Sequence, residues 1–262
     1  MPEVGRHEPG SFTWAELGTS DPGAAKSFYG SLFGWTFVDS PMGPGPDDVY
    51  TRFQLSGKDV GATYKLMKEQ REKGVPPNWG SYITVANVDE TTKKVKSLGG
   101  TVIQEPFDVM EYGRMAVLTD PTGGVISLWQ PGKHIGFERV GEPGTPCWTE
   151  LATRDMKTAG KFYSSLIGWK LKEAPDGSYT EFQRGDGRSI GGMRPIQKEE
   201  GPVPPHWLIY VQVADCDATA AKVKKLGGQT FMPPTDIPKT GRFATFADPQ
   251  GAAFAVIKLE GM

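Results

Sequence analysis

Gly113-Arg114-Met115-Ala116-Val117-Leu118-Thr119-Asp120-Pro121-Thr122-Gly123-Gly124 returns further on as Gly241-Arg242-Phe243-Ala244-Thr245-Phe246-Ala247-Asp248-Pro249-Gln250-Gly251-Ala252. In both stretches a short apolar strand enters an Asp-Pro-x-Gly turn, and a second apolar strand leaves it. Proline at the second turn position presets φ, and glycine at the fourth suits a type I turn. The pattern predicts a β-hairpin in each place, and the surrounding chain reads as two copies of one plan.

Trp14-Ala15-Glu16-Leu17 matches Trp148-Thr149-Glu150-Leu151, Phe28-Tyr29 matches Phe162-Tyr163, and Gly34-Trp35 matches Gly168-Trp169, all 134 residues apart. Pro76-Pro77, Trp79, Tyr82 and Leu98-Gly99-Gly100 match Pro204-Pro205, Trp207, Tyr210 and Leu226-Gly227-Gly228 at a separation of 128. The second copy is thus shorter by six residues, and the turn Ser40–Asp48 is the expected difference.

Within the first copy, residues 12–18 alternate as a strand, with Phe12, Trp14 and Glu16 on one face and Thr13, Ala15 and Leu17 on the other. Asp21 and Pro22 open a helix, Ala24, Ala25, Phe28, Leu32 and Phe33 give it an apolar stripe, and Gly34 stops it. Strand-like runs follow at 35–39, 49–55 and 60–67, then a charged, proline-containing connector over 68–78. The same grammar resumes with a strand at 82–85, a helix capped by Asp89, the Gly99-Gly100 stop, and strands near 101–105, 114–119 and 124–130. Each copy is therefore two β-α-β-β-β units, and residues 133–146 form a Gly/Pro-rich bridge expected to cross the surface.

The 262 residues suit two domains of about 130 residues each. Hydrophobic residues make up 37% and aromatic residues 11%, enough for two cores, while 34 Gly and 22 Pro imply many turns between short strands. The net charge of −2, without a basic run, argues against nucleic acid or anionic membrane as a partner. No apolar run approaches the roughly 20 residues of a membrane span. Met1 to Gly10 is polar and unlike a signal peptide, and Cys147 and Cys216 offer no disulfide framework or thiolate metal site. A cytoplasmic protein is the expectation.

Through Phe-Tyr in the first helix, Leu-Gly-Gly after the second, and Gly-Arg…Asp-Pro-x-Gly, the chain resembles the vicinal-oxygen-chelate superfamily of glyoxalases, bleomycin-resistance proteins and extradiol dioxygenases. The tandem two-domain actinobacterial members are the most similar in plan. The resemblance implies an α+β fold of two tandem glyoxalase-like domains, residues 10–131 and 145–258. In each, paired units would form a half-open barrel whose cup holds the ligand. It marks the fold and leaves the reaction open. Metal-dependent members carry His, Gln or Glu on the first strand, His on the first strand of the second unit, and Glu on the last strand. Those positions here are Trp14, Gly80 and Ser127, then Trp148, Leu208 and Ala255. None suits a divalent ion, so neither a metal of the family type nor another cofactor is expected. A displaced site using His206 and Glu150 is the alternative to His206 as a plain rim residue. His7 and His134 read as solvated.

Trp14 and Trp148 either line the cups as flat ligand-binding walls or fill a closed core. Glu16 and Glu150 share their strand faces, and Tyr82 and Tyr210 lie on the facing strands. A desolvated glutamate would have a raised pKa and could act as general acid or base, or it could simply hydrogen-bond a loop. The tyrosines could donate to a carbonyl or a developing oxyanion. Trp129 shares the face of Ser127 and would close the first cup. Trp79 and Trp207 are expected to lock the unit junctions. Asp108 with Arg114, and Asp236 with Arg242, invite an ion pair across each hairpin.

The expected function is binding of a planar or aromatic small molecule in a metal-free aromatic cup. The protein would then be a binding or resistance protein, or a metal-independent tailoring enzyme of aromatic metabolism with lyase, isomerase or hydroxylase-like chemistry. The alternative is a metal-dependent glyoxalase-type lyase, hydroxylase or dioxygenase using the displaced site. Four units already lie in one chain, so either a monomer or a homodimer satisfies the fold.

Overall fold

The structure, a computed structural model, describes residues 3–43, 45 and 48–260. Pro44, Pro46 and Asp47, inside the turn expected to distinguish the copies, lie outside the described residues. The first repeat runs β1 (Phe12–Thr19), α1 (Pro22–Phe33), β2 (Thr36–Pro41), β3 (Val49–Leu55), β4 (Lys58–Lys65), α2 (Lys68–Glu72), β5 (Asn78–Thr84), α3 (Val88–Val95), β6 (Thr101–Val109), β7 (Gly113–Thr119) and β8 (Val125–Pro131). The second runs β9 (Pro146–Thr153), α4 (Met156–Ile167), β10 (Lys170–Glu173), β11 (Thr180–Gln183), β12 (Ser189–Pro195), β13 (His206–Gln212), α5 (Cys216–Lys225), β14 (Gln229–Ile237), β15 (Gly241–Ala247) and β16 (Ala253–Leu259). No helix is long and apolar enough to cross a membrane among the described residues.

Each repeat is one open eight-stranded sheet, ordered β2-β3-β4-β1-β5-β8-β7-β6 and β10-β11-β12-β9-β13-β16-β15-β14. The two units of a repeat meet where β1 runs antiparallel to β5, and β9 to β13. The sheets are not closed, and one face of each is free of helices of its own repeat.

Local chemistry sets most boundaries as the sequence implies. Asp21 Oδ1 accepts the Ala24 N–H at 2.9 Å, and Gly34 ends α1 with φ of 76°. Other expectations change. The cap of α3 is Asn87, whose side chain accepts the Glu90 N–H at 2.9 Å. Asp89 instead sits in the first turn and takes Arg114 Nε and Nη2 at 2.7 and 2.9 Å. Because Arg114 Nη1 also donates to Asp108 at 2.9 Å, the hairpin ion pair exists but extends to the helix, and Arg242 repeats this with Asp236 and Asp217. A β-bulge between Phe12 and Trp14 turns Phe12 to the opposite face, against Trp169 and Trp207 at 5.4 and 5.2 Å between ring centroids. Part of the connector over 68–78 is the short helix α2.

The cores do not follow the repeats. One joins Phe28, Tyr29, Phe53 and Trp79 of the first repeat to Ile209, Val223, Phe246 and Phe254 of the second. The other joins Phe162, Tyr163, Phe182 and Trp207 to Ile83, Val95, Leu118 and Leu128. The first unit of each repeat thus packs its helix-bearing face on the second unit of the other. At each crossing the same hydrogen bonds recur. Tyr29 donates to Asp248 Oδ2 at 3.1 Å and accepts from Trp79 Nε1 at 2.9 Å, while Tyr163 donates to Asp120 Oδ2 at 2.9 Å and accepts from Trp207 Nε1 at 3.2 Å. Trp79 and Trp207 therefore brace the contact between repeats as well as the junction of units.

The Leu-Gly-Gly motif belongs to the same contact. Gly99 and Gly227 take φ of 88° and 87°, which only glycine adopts without strain. A Cβ on Gly100 would lie 2.7 Å from Thr119 O and 2.8 Å from the Phe162 ring, and one on Gly228 would lie 3.3 Å from Phe28. The second glycine admits the aromatic ring of the other repeat.

The bridge is not a surface crossing. Phe137 is buried, Thr13 Oγ1 donates to Ile135 O at 2.7 Å, and the Phe137 N–H donates to Thr13 O at 2.6 Å. His7, expected to be solvated, donates from Nε2 to Phe137 O at 2.7 Å. His134, also expected to be solvated, is half-buried with its ring edge-on to Trp14 at 4.5 Å. Apolar residues in the bridge offset the cost of ordering it, so it packs.

Replacing Tyr29 with Phe strands a buried Asp248 oxygen and the Trp79 N–H. A loss of about 1–3 kcal/mol is expected, read as a lower urea midpoint in a transition that stays single because both cores cross the repeats.

Candidate functional site

The face of the first sheet that carries Trp14 and Glu16 is built across five strands. Trp14 on β1 lies opposite Tyr82 on β5, which lies beside Ser127 on β8. One step along, Glu16 lies between Gly80 on β5 and Ala62 on β4. Tyr50 on β3 lies opposite Tyr64 on β4. Alternation along each strand puts these side chains on one face.

Glu16, Tyr82, Tyr50 and Trp14 form one hydrogen-bonded cluster. Tyr82 donates to Glu16 Oε1, and Tyr50 donates to Glu16 Oε2 at 3.0 Å. Tyr50 in turn accepts the indole N–H of Trp14 at 2.9 Å. Tyr64 accepts from Gln70 Nε2 at 3.2 Å. Burial pushes the Glu16 carboxyl above its usual range, against the pull of the two phenols that donate to it. Burial beside that carboxyl pushes Tyr50 and Tyr82 well up, and Tyr64 up to about 12. Glu16 is half-buried.

Trp14 is 4% exposed, covered by His134 and Phe137. Trp129 is also buried and gives its indole N–H to His134 O at 3.0 Å, so it ties the bridge to the end of this cup.

The second cup repeats the plan with changes. Trp148 lies opposite Tyr210, Glu150 lies opposite Leu208, and Ala255 stands beside Tyr210. Trp148 donates to Tyr179 at 2.8 Å, and both Tyr179 and Tyr210 hydrogen-bond Glu150, Tyr210 at 3.0 Å. Where β4 carries Tyr64, β12 carries Arg194, in the same register relative to the glutamate. Arg194 Nε donates to Glu150 Oε1 at 3.0 Å, while Nη1 and Nη2 clasp Glu200 at 2.7 and 2.9 Å. Burial raises Glu150 too, but here a guanidinium opposes it, and Glu150 is 6% exposed. Trp148 is half-buried. His206 donates from Nδ1 to Pro204 O at 2.9 Å, at the rim near Glu200. Glu150 is engaged by Tyr210, Tyr179 and Arg194 rather than by His206.

The residues on the family's metal positions do not fit a divalent ion. Each cup supplies one carboxylate whose oxygens already accept phenol or guanidinium hydrogens, and among the described residues no imidazole or thiolate hydrogen-bonds it. Among the described residues, no group of three or more His, Cys, Asp or Glu side chains is placed to hold a metal.

Tyr50, Tyr64, Tyr179 and Arg194 escape the sequence reading because they fall where the separation between copies drops from 134 to 128. Their one signal is strand alternation: Tyr50 stands two residues before Arg52, as Tyr179 stands two before Glu181.

Since the Glu16 pKa is raised in the fold, its stabilising contribution is complete below the ordinary value of 4.5 and is lost as pH rises through the raised value. The stability difference between the wild type and Glu16→Gln should therefore shrink with rising pH, by about 1.4 kcal/mol for each tenfold by which folding strengthens proton binding at this carboxyl. Thermal unfolding from acid to neutral pH checks this, and a difference that grows with pH contradicts it.

The comparisons with known proteins agree with this architecture. The family profile described as Glyoxalase/Bleomycin resistance protein/Dioxygenase superfamily matches residues 11–128 and 146–256. The chain is 42% identical over 261 residues to "Putative glyoxylase CFP32" of Mycobacterium tuberculosis, covering 98% of both chains. It is 36% identical over 267 residues to "Anthracycline biosynthesis protein DnrV" of Streptomyces peucetius, covering 97% of this chain and 95% of that one. Among solved structures, a Mn(II)-bound glyoxalase from Novosphingobium aromaticivorans superposes with a TM-score of 0.67 at 15% identity, covering 98% of this chain and 83% of that one, which speaks for the fold alone. The chain belongs to the glyoxalase/bleomycin resistance protein/dioxygenase superfamily.

Proposed function

We propose that this chain binds a planar, oxygenated aromatic molecule on the sheet faces that carry Glu16 and Glu150 without a metal, and that the glutamate–tyrosine cluster orients the ligand and exchanges protons with it. The observation that carries this reading is the Glu16 cluster: one half-buried carboxyl, two phenols donating to it and a third phenol nearby. Such a group offers hydrogen bonds to ketone and hydroxyl oxygens and a carboxyl held above its usual pKa. The whole-length relatives named for anthracycline biosynthesis support an aromatic ligand. The relative named as a glyoxylase supports the family and the tandem arrangement. A tailoring enzyme or a sequestering protein would both use this site, the first by moving a proton and the second by holding the ligand.

Quinizarin, a neutral dihydroxyanthraquinone, serves as probe. Saturable quenching of tryptophan fluorescence is expected, weakened about tenfold in Glu16→Gln, the equivalent of about 1.4 kcal/mol. Absence of binding by the wild type, or conversion of a small 2-oxoaldehyde that requires an added divalent ion, overturns the proposal.

A further inference from the structure

The two cups differ in what surrounds the carboxyl. Around Glu16 the side chains on the same face are Trp14 on β1, Tyr64 on β4, Tyr82 on β5, Tyr50 and Arg52 on β3 and Ser127 on β8, with His134 of the bridge behind Trp14. Of these only Arg52 carries a fixed positive charge, and it is engaged by Asp59 at 2.7 Å. Asp59 also takes Gln54 Nε2 at 2.8 Å. Among the described residues Glu16 therefore has phenol donors but no cation as a partner, and it is half-buried. Around Glu150 the exchange of Tyr64 for Arg194 builds a closed chain, Glu150–Arg194–Glu200, with Tyr179 and Tyr210 filling the remaining acceptor sites.

We propose that the cups have divided the work: the first is the reactive cup, in which Glu16 exchanges a proton with an uncharged ligand, and the second keeps its carboxyl fixed in the Glu150–Arg194–Glu200 chain and only binds or braces. The ligand half of this rests on the function proposed above, whereas the inequality of the two carboxyls stands on the geometry alone. The step needs no oxidant, reductant or co-reactant. Glu16 as carboxylate takes a proton from the carbon beside a ligand carbonyl, the C–H electron pair moves into the new C=C bond, and the carbonyl oxygen gains the negative charge. The proton then passes from the Glu16 carboxyl to that oxygen, leaving an enol and restoring the carboxylate. Tyr64, whose hydroxyl accepts from Gln70 and has no acceptor for its own proton among the described hydrogen bonds, is placed to donate to the same oxygen. An anionic ligand would meet no free counter-charge in this cup, so an uncharged aromatic ketone is the class it selects.

Two measurements test this. Infrared titration of the ligand-free protein follows the carboxyl C=O bands, assigned with Glu16→Gln and Glu150→Gln. Of these two carboxyls, the one that ionises at the higher pH is expected to vanish in Glu16→Gln and to move to lower pH in Tyr64→Arg. Should Tyr64→Arg fail to fold, Arg194→Gln in the other cup is the converse variant and should move the Glu150 band to higher pH. If Glu150 already ionises later than Glu16 in the wild type, the division is overturned. The second measurement is solvent deuterium uptake into α-tetralone, a neutral aromatic ketone with an exchangeable C–H, followed by NMR. The wild type should accelerate it, and Glu16→Gln should lose about a hundredfold or more. Loss in Glu150→Gln with retention in Glu16→Gln overturns the assignment, as does the absence of any acceleration in a protein that binds quinizarin. A protein that does not bind quinizarin at all defeats the ligand reading, and the titration order then still decides whether the cups differ.

Discussion

The phenol–carboxylate contact at each crossing of the repeats holds this molecule together. Tyr29 reaches Asp248 and Tyr163 reaches Asp120, each phenol also accepting a tryptophan N–H from its own repeat. The aspartates are those of the Asp-Pro-x-Gly turns, so one residue both shapes its hairpin and receives the other repeat. Asp248 Oδ1 takes the backbone N–H groups of Gln250 and Ala252 while Oδ2 takes Tyr29, and Asp120 does the same with Thr122, Gly124 and Tyr163. A buried carboxylate is tolerated because both of its oxygens have donors. The aromatic cores on either side follow from this placement, and Gly100 and Gly228 are small because the opposing ring comes so close.

Because the helix-bearing faces are packed on each other, the opposite faces, which carry Glu16 and Glu150, form the candidate site. There the chain carries a burden the cores avoid, a glutamate in each sheet with its oxygens turned inward among aromatic side chains. Two phenols offset it in the first cup, and two phenols with a guanidinium in the second. Removing a charge from water costs several kcal/mol unless hydrogen bonds replace the solvent. A single exchange on the strand beside the glutamate, Tyr64 for Arg194, changes the electrostatics of one cup without changing its architecture.

The bridge adds a second inequality. It packs Phe137 and His134 on Trp14, whereas Trp148 is half-buried. Gly136 allows this, since a Cβ there would lie 2.1 Å from Thr13 O. Equivalent tryptophans therefore have different surroundings.

The tandem repeat, the four β-α-β-β-β units, the hairpin turns and the glutamate–tyrosine–tryptophan strand faces were legible in the sequence, because turn chemistry, helix stops and strand alternation act over a few residues. The face taken by Phe12 was not, since a bulge shifts alternation by one residue and leaves no mark in composition. Nor were Tyr50, Tyr64, Tyr179 and Arg194 as members of the cluster, because β3, β4, β11 and β12 reach the glutamates only through sheet pairing. The crosswise cores were equally hidden. Phe-Tyr and Asp-Pro-x-Gly are separated by 219 residues in one lock and 43 in the other, and no local rule couples them. Sequence by itself determined which elements form and which chemical groups line each strand. Tertiary structure alone decided which repeat each face meets, and so which carboxyl acquires a cation and which does not, because burial and charge pairing are properties of the assembled sheets.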